Sequence, residues 1–328
     1  MKAMLKPRHR VAAGALLIAA LLGFGRLAVA ESYPTRSVTI LTPFAAGSVT
    51  DAAARVLAQA LQEQLGQPFI VENRPGAGGL LSAAAVARAP NDGYTLLLTT
   101  NSTHSAANGL FKNVPYDPIK DFTPVARIGS FASFVAVTPD KPYQSMRALV
   151  DYAKANPGKL SYGVGNSTSQ IVGEALKKRT QTDIVRVPYR SNPAVMTDLI
   201  ANQIQIMIAD FNTGMPQLKA GKVNALAVLT RDRHPLLPDV PTLNETVMPG
   251  YHILAWAGVF GPANMPSEAV KALAGAIEKA LNTPVVRQRF ASSGTDIYWS
   301  GPQEFDAFVK SELVSWTAMI KEAGIEPE

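Results

Sequence analysis

Two short stretches of this chain combine the residue types that bind an anion without a positive side chain. Phe44-Ala45-Ala46-Gly47-Ser48-Val49-Thr50-Asp51 and Gly165-Asn166-Ser167-Thr168-Ser169 each follow an apolar run and precede a segment with helical spacing. Such a loop sets backbone N–H groups and hydroxyls at the positive end of a helix, where a negative group is favoured. Asn101-Ser102-Thr103-His104, after a third apolar run, is a weaker group of the same kind. Ser, Thr, Asn and Asp also cap helices that never meet a ligand. One such loop alone therefore says little, whereas two on opposite halves of a molecule would make a cleft. Asp51 is read as capping or orienting its loop, and Asp210 as capping the turn after it. Either carboxylate would repel a carboxylate ligand unless it held water or a ligand hydroxyl or amine. Arg190 could pair with an acid, although a solvated surface arginine is the commoner outcome.

Enzyme chemistry finds little support. The chain has no Gly-x-Ser-x-Gly elbow, no His-Glu-x-x-His and no Walker loop, and His104, His234 and His252 lie far apart without ligand spacing. Gly76-Ala77-Gly78-Gly79 sits where a dinucleotide loop would, but lacks the full glycine spacing; a tight turn with close helix packing explains it. No catalytic residue, cofactor or metal is expected. A hydrolase or lyase using His104 or Asp51 stands as the remotest alternative, since no base–nucleophile pair is visible.

The elements that must position these loops recur as one phrase: a short aliphatic or β-branched run, a small polar loop, then a helical stretch. Val38 to Thr42 reads as a buried strand, and Asp51 to Leu65 as a helix with Ala54, Leu57, Leu61 and Leu65 on one face, stopped by Gly66. Phe69 to Val71 and Tyr94 to Leu98 are further strands, with a helix from Leu80 to Ala89 ended by Pro90. Phe131 to Val137 reads as a strand crossing into a second region. There Leu160 to Val164, Ile184 to Val187 and Ile204 to Ile208 alternate with helices, and Trp256 to Pro262 reads as the return strand. This alternation predicts an α/β protein with a mainly parallel sheet in each of two domains. The helices after Pro262 are expected to pack back on the first domain. The expected boundaries are 31–133 with 251–328 for a discontinuous first domain and 134–250 for the second. Two crossings, near Ser133 and Tyr251, would form a hinge.

Charge and targeting narrow the class further. Residues 1–30 carry Lys2, Lys6, Arg8 and Arg10, the apolar run Val11 to Phe24, and Ala28-Val29-Ala30, the pattern of a cleavable export signal. The run is shorter than the ~20 apolar residues of a membrane span. A periplasmic location without membrane insertion of the mature chain is therefore expected. Of the 31 Lys and Arg residues, five (these four and Arg26) lie in that segment, which leaves 26 against 25 Asp and Glu. The electrostatic footprint of a nucleic-acid binder is absent. The chain has no cysteine, which excludes a disulfide framework, a cysteine nucleophile and a lipid-anchored cysteine.

Several longer motifs carry a resemblance. Tyr33-Pro34-Thr35-Arg36, Pro43-Phe44-Ala45 through Thr50-Asp51, Leu65-Gly66-Gln67-Pro68, Val71 through Gly79, Asp92-Gly93-Tyr94-Thr95-Leu96, Pro115-Tyr116-Asp117-Pro118, Leu237 through Thr242 and Trp256 resemble the Bug-type receptors of tripartite tricarboxylate transporters. The match runs from Tyr33 to the end of the chain. It implies a two-domain periplasmic-binding-protein, or Venus-flytrap, fold with the ligand cleft between the domains. It implies a receptor that closes on a small carboxylate, aliphatic or aromatic, and presents it to membrane permease subunits; docking on a sensor domain is the alternative partner. Carried over by position, the ligand-binding residues are Phe44, Ala45, Ser48, Thr50 and Asp51, then Asn166, Ser167, Thr168 and Ser169, with Tyr189 and Asp210 nearby; Asn101 joins them from the weaker third loop. Two departures from the family pattern, Ser48-Val49 in place of a glycine-rich stretch and Arg190-Ser191 in place of a Lys-Gly pair, point to a reshaped pocket floor.

Overall fold

The computed structural model describes residues 33–328, so the proposed export signal lies outside the described residues. Two sheets organise the chain. The first has the order β11-β4-β10-β3-β1-β2 and the second β7-β6-β8-β5-β9. In the first, β1 (Val38–Thr42), β2 (Phe69–Asn73) and β3 (Thr95–Thr100) run parallel, whereas β10 (Ala255–Pro262) is antiparallel to β3 and to β4 (Phe122–Phe131), and β11 (Thr295–Ser300) is antiparallel to β4. In the second, β6 (Leu160–Val164) is parallel to β7 (Ile184–Pro188) and β8 (Ile206–Asp210), and β5 (Ser133–Val137) is antiparallel to β8 and β9 (Asn224–Val228).

Both sheets are therefore mixed. The parallel pairs come from the strand–loop–helix phrases read in the sequence. The antiparallel pairs come from strands that carry the chain between the sheets. β4 ends at Phe131 and β5 starts at Ser133, so the single residue Ala132 separates one sheet from the other. A strand that leaves one sheet for the next cannot keep the direction set by a crossover helix, and β4, β5 and β10 pair antiparallel in consequence.

Alternating side chains build a core on each face of each sheet. Ile40, Leu96 and Leu98 pack with Leu57 and Leu273, while Leu41 and Leu97 pack on the other face with Trp256, Phe260 and Phe305. Val135 and Ile208 likewise face one core of the second sheet, and Phe134 and Met207 face the other. The glycine turn Gly76–Gly79 has the packing role expected of it. Gly79 has φ +100°, and a Cβ there would lie 2.8 Å from Pro43 Cβ and 3.0 Å from Thr103 Cγ2.

The long helix Pro302–Ala323 departs from expectation. Its first half, with Phe305 and Val309, packs on the first sheet, but Trp316, Ile320 and Ala323 belong to a core shared with Val135, Leu160 and Ile171 of the second. The helix thus bridges both halves. β9, β11 and the helices Met146–Ala155, Phe211–Lys219 and Pro284–Ser292 are elements that the sequence pattern left unassigned.

Candidate ligand-binding site

Four helix N-termini gather where the two sheets face each other. Helix Val49–Leu65 follows β1; its N-cap Ser48 has extended φ and ψ, and its Oγ accepts from the Asp51 amide. Helix Ser167–Thr180 follows β6 and opens with a capping box, in which Asn166 Oδ1 accepts from the Ser169 amide and Ser169 Oγ accepts from the Asn166 amide. Helices Asn192–Ile200 and Phe211–Lys219 follow β7 and β8. The first-turn amides of these helices have no intrahelical acceptor, so their positive ends point at one space.

That space is a narrow cleft between the two halves. From the first half it is lined by Phe44, Ser48, Thr50 and Asn101, and from the second by Asn166, Thr168 and Asp210. Hydrogen bonds cross it. Asn101 Nδ2 donates to Ser167 Oγ at 2.9 Å and to Thr168 Oγ1 at 3.3 Å, and the Ser102 and Ser167 hydroxyls lie 2.9 Å apart. At the rim, Asn212 Nδ2 donates to the Gly47 carbonyl at 3.2 Å. The two halves are thus closed on each other.

Of the remaining expected residues, Asp51 and Ser169 stand behind the loops. Asp51 Oδ2 accepts from the Gly47 amide at 2.9 Å, fixing a turn in which Gly47 has φ +80°, and its Oδ1 accepts from Asn73 Nδ2 at 3.0 Å and pairs with Arg55 at 2.9 Å. Burial pushes the Asp51 pKa up, but the bonds from Arg55, Gly47 and Asn73 outweigh it and hold the carboxyl below its ordinary range. Ser167 lies under the crossing bonds. Ala45 is half-buried, and its carbonyl accepts from the Ser48 amide. Tyr189 faces a neighbouring cavity with Arg186 and Arg190 instead, its hydroxyl donating to Asp198 at 2.7 Å.

Among the described residues, Asp210 is the one ionisable side chain in the lining of the cleft. It caps its helix by accepting from the Thr213 amide at 2.9 Å, and it also accepts from Asn192 Nδ2 at 2.5 Å and the Thr213 hydroxyl at 3.2 Å. Burial raises its pKa, and the bonds from Asn192 and Thr213 only partly offset this. His104 is turned away from the cleft: it is fully buried, stacks on Phe260 with centroids 3.9 Å apart, and is held neutral by burial, its pKa lowered to about 3.

Thr100, Ser133 and Asn192 also line the cleft and carried no signal in the sequence. Asn192 follows Tyr189-Arg190-Ser191, which marked the right loop, but only the approach of this helix to Gly165 brings its amide inside. A Cβ on Gly165 would lie 2.4 Å from Asn192 Oδ1 and 2.6 Å from the Asn192 backbone nitrogen.

Two α/β halves joined by repeated crossings, with a cleft at the carboxyl ends of strands from both, define the two-lobed periplasmic-binding-protein fold. Residues 53–325 match the tripartite tricarboxylate transporter family receptor, and the chain belongs to that family. BugT of Bordetella pertussis is 31% identical over 298 residues, covering 90% of this chain and 91% of BugT. Among solved structures, R. palustris Rpa4515 with adipate has a TM-score of 0.88 at 34% identity, covering 90% of this chain and 100% of that one. MatC from Rhodopseudomonas palustris with bound malate has a TM-score of 0.84 at 32% identity, covering 88% and 100%.

Proposed function

We propose that this protein is a periplasmic solute receptor that closes two lobes on a small organic carboxylate and delivers it to a tripartite tricarboxylate-type membrane transporter. The observation that carries this reading is the convergence of helix N-termini from both lobes on one cleft whose lining, among the described residues, contains no Lys or Arg. A carboxylate there is held by hydroxyls, an asparagine amide and backbone amides, which favour an anion through aligned dipoles rather than a paired charge. Phe44, Ser48, Thr50, Asn101, Asn166 and Thr168 are the residues that would touch it, with Asp51 and Ser169 holding the loops in shape. The adipate and malate bound by Rpa4515 and MatC are in keeping with this class of ligand. The protein acts by binding and presentation, without turnover. Export through the segment before Glu31 is part of the same reading; among the described residues no helix is long and apolar enough to cross a membrane.

The test is a thermal-shift screen of the purified protein, unfolded and refolded to remove any co-purified ligand, against aliphatic and aromatic carboxylates. A ligand at about 100 times its dissociation constant adds ~2.7 kcal/mol of stability, which is expected to raise Tm by several degrees. Silence from the folded protein across the panel would overturn the reading.

A further inference from the structure

The acceptor groups of the cleft ask for more than a carboxylate. Asp210 is 4% exposed and, among the described residues, has no cation within ion-pair distance. An ionised carboxylate offers about four acceptor positions, and three donors already reach Asp210, from Asn192 and twice from Thr213. Asn192 is also 4% exposed; its Nδ2 is committed to Asp210, and its Oδ1 is buried without a partner. Asn101 Oδ1 is buried and unpartnered too. The partners of Asn101 are hydroxyls, which accept as readily as they donate, so this amide can present either of its ends. Asn192 lacks that freedom, because its partner is a carboxylate.

Helix capping alone does not account for this corner. The Thr213 amide needs one acceptor, which an uncharged Ser or Asn supplies equally well, whereas a fully buried carboxylate beside a site for anions raises the cost of binding any simple carboxylate. Resting on the carboxylate-receptor reading, we infer that the Asp210–Asn192 pair selects a carboxylate that also carries a hydrogen-bond donor, a hydroxyl or an ammonium group, on its carbon skeleton. The donor takes the open acceptor position of Asp210 or the Oδ1 of Asn192, while the ligand carboxylate lies against the helix N-termini. A ligand without such a group leaves both acceptors buried and unpaired, and sites built around a polar group discriminate strongly against analogues that lack it.

The experiment is calorimetric titration of the stripped protein with succinate, malate and aspartate, and with adipate and its 2-hydroxy and 2-amino counterparts. Within at least one chain length, the hydroxyl or ammonium member is expected to bind tenfold or more tighter than the unsubstituted acid. That advantage should collapse in Asp210→Asn, or in Asn192→Ala should the first variant fold poorly. Preference for the amine would identify the group as cationic, and preference for the hydroxyl as neutral; both support the inference. Equal or tighter binding of the unsubstituted acids would overturn it and leave the carboxylate reading standing. A preference unchanged in both variants would overturn its assignment to this pair. Binding of no member by folded protein that responds to another carboxylate in the thermal-shift screen would overturn the inference alone, whereas silence in both experiments would overturn the reading beneath it as well.

Discussion

Two buried aspartates, Asp210 in the cleft lining and Asp51 behind the loop of the opposite lobe, have opposite environments. Asp51 is surrounded by donors and a guanidinium, and its pKa is lowered; Asp210 meets burial without a cation, and its pKa is raised. Linkage turns these directions into opposite pH dependences. Asp51 contributes stability above its ordinary pKa, near 4, that is lost as pH falls through the depressed value. Asp51→Asn is therefore expected to melt below the wild type at pH 7, with the gap closing in acid. Asp210 has its full stability below the ordinary value and loses it as pH rises through the raised one. Asp210→Asn should accordingly match or exceed the wild type in Tm at pH 7, an advantage that disappears towards pH 4. Melting curves of the ligand-free proteins from about pH 2 to 8 check both. A stabilising substitution at a cleft residue is the signature of a group kept for binding at some cost to the fold.

At the scale of elements, the helix N-terminus is the working part, and its cap has two separable duties. Asn166 closes its capping box through Oδ1, leaving Nδ2 at the cleft. Asn166→Ala is expected to cost about 1 kcal/mol of stability, read from urea denaturation, and to weaken ligand binding as well. Asn166→Ser restores the cap but not the amide, so it should recover stability without recovering affinity; recovery of both would reduce Asn166 to a cap. The start of helix Asn192–Ile200 sits against Gly165, where the neighbouring atoms are backbone as well as side chain. This contact couples the end of β6 to the helix after β7, so two of the four N-termini keep a fixed spacing.

For the whole molecule, the proposed receptor role calls for closure as a two-state element biased by groups from both lobes. The crossing bonds of Asn101 and Ser102 to Ser167 favour the closed form by themselves, and a ligand would add to that bias only through contacts of its own that are better made there. The bridging helix is in contact with both lobes. Its Arg179–Glu322 pair and the Lys178 bond to the Glu322 carbonyl tie it to the second lobe, while Ile320 lies against Gly109 of the first. Ile320→Ala should lower stability by about 2–5 kcal/mol through the cavity it leaves. Small-angle scattering is expected to show a larger radius of gyration for this variant without ligand, and contraction towards the wild-type value when ligand is added. An unchanged ligand-free radius would remove the helix from the closure mechanism.

The sequence by itself determined the α/β alternation, the glycine stop at Gly66, and the two loops that meet at the cleft. These are local properties: a period of 2 or 3.6, a capping residue, a glycine stop. Only the tertiary structure decided what depends on partners far away in the chain. It made the sheets mixed, because strand direction follows from where a crossing chain arrives and not from the composition of the strand. It added β11 to the sheet edge and divided the last long helix between two cores. It brought Asn101 within hydrogen-bond reach of Ser167 across 66 positions of sequence and placed Asn192 beside Asp210. No periodicity encodes such pairings, because they are selected by the packing of both lobes at once.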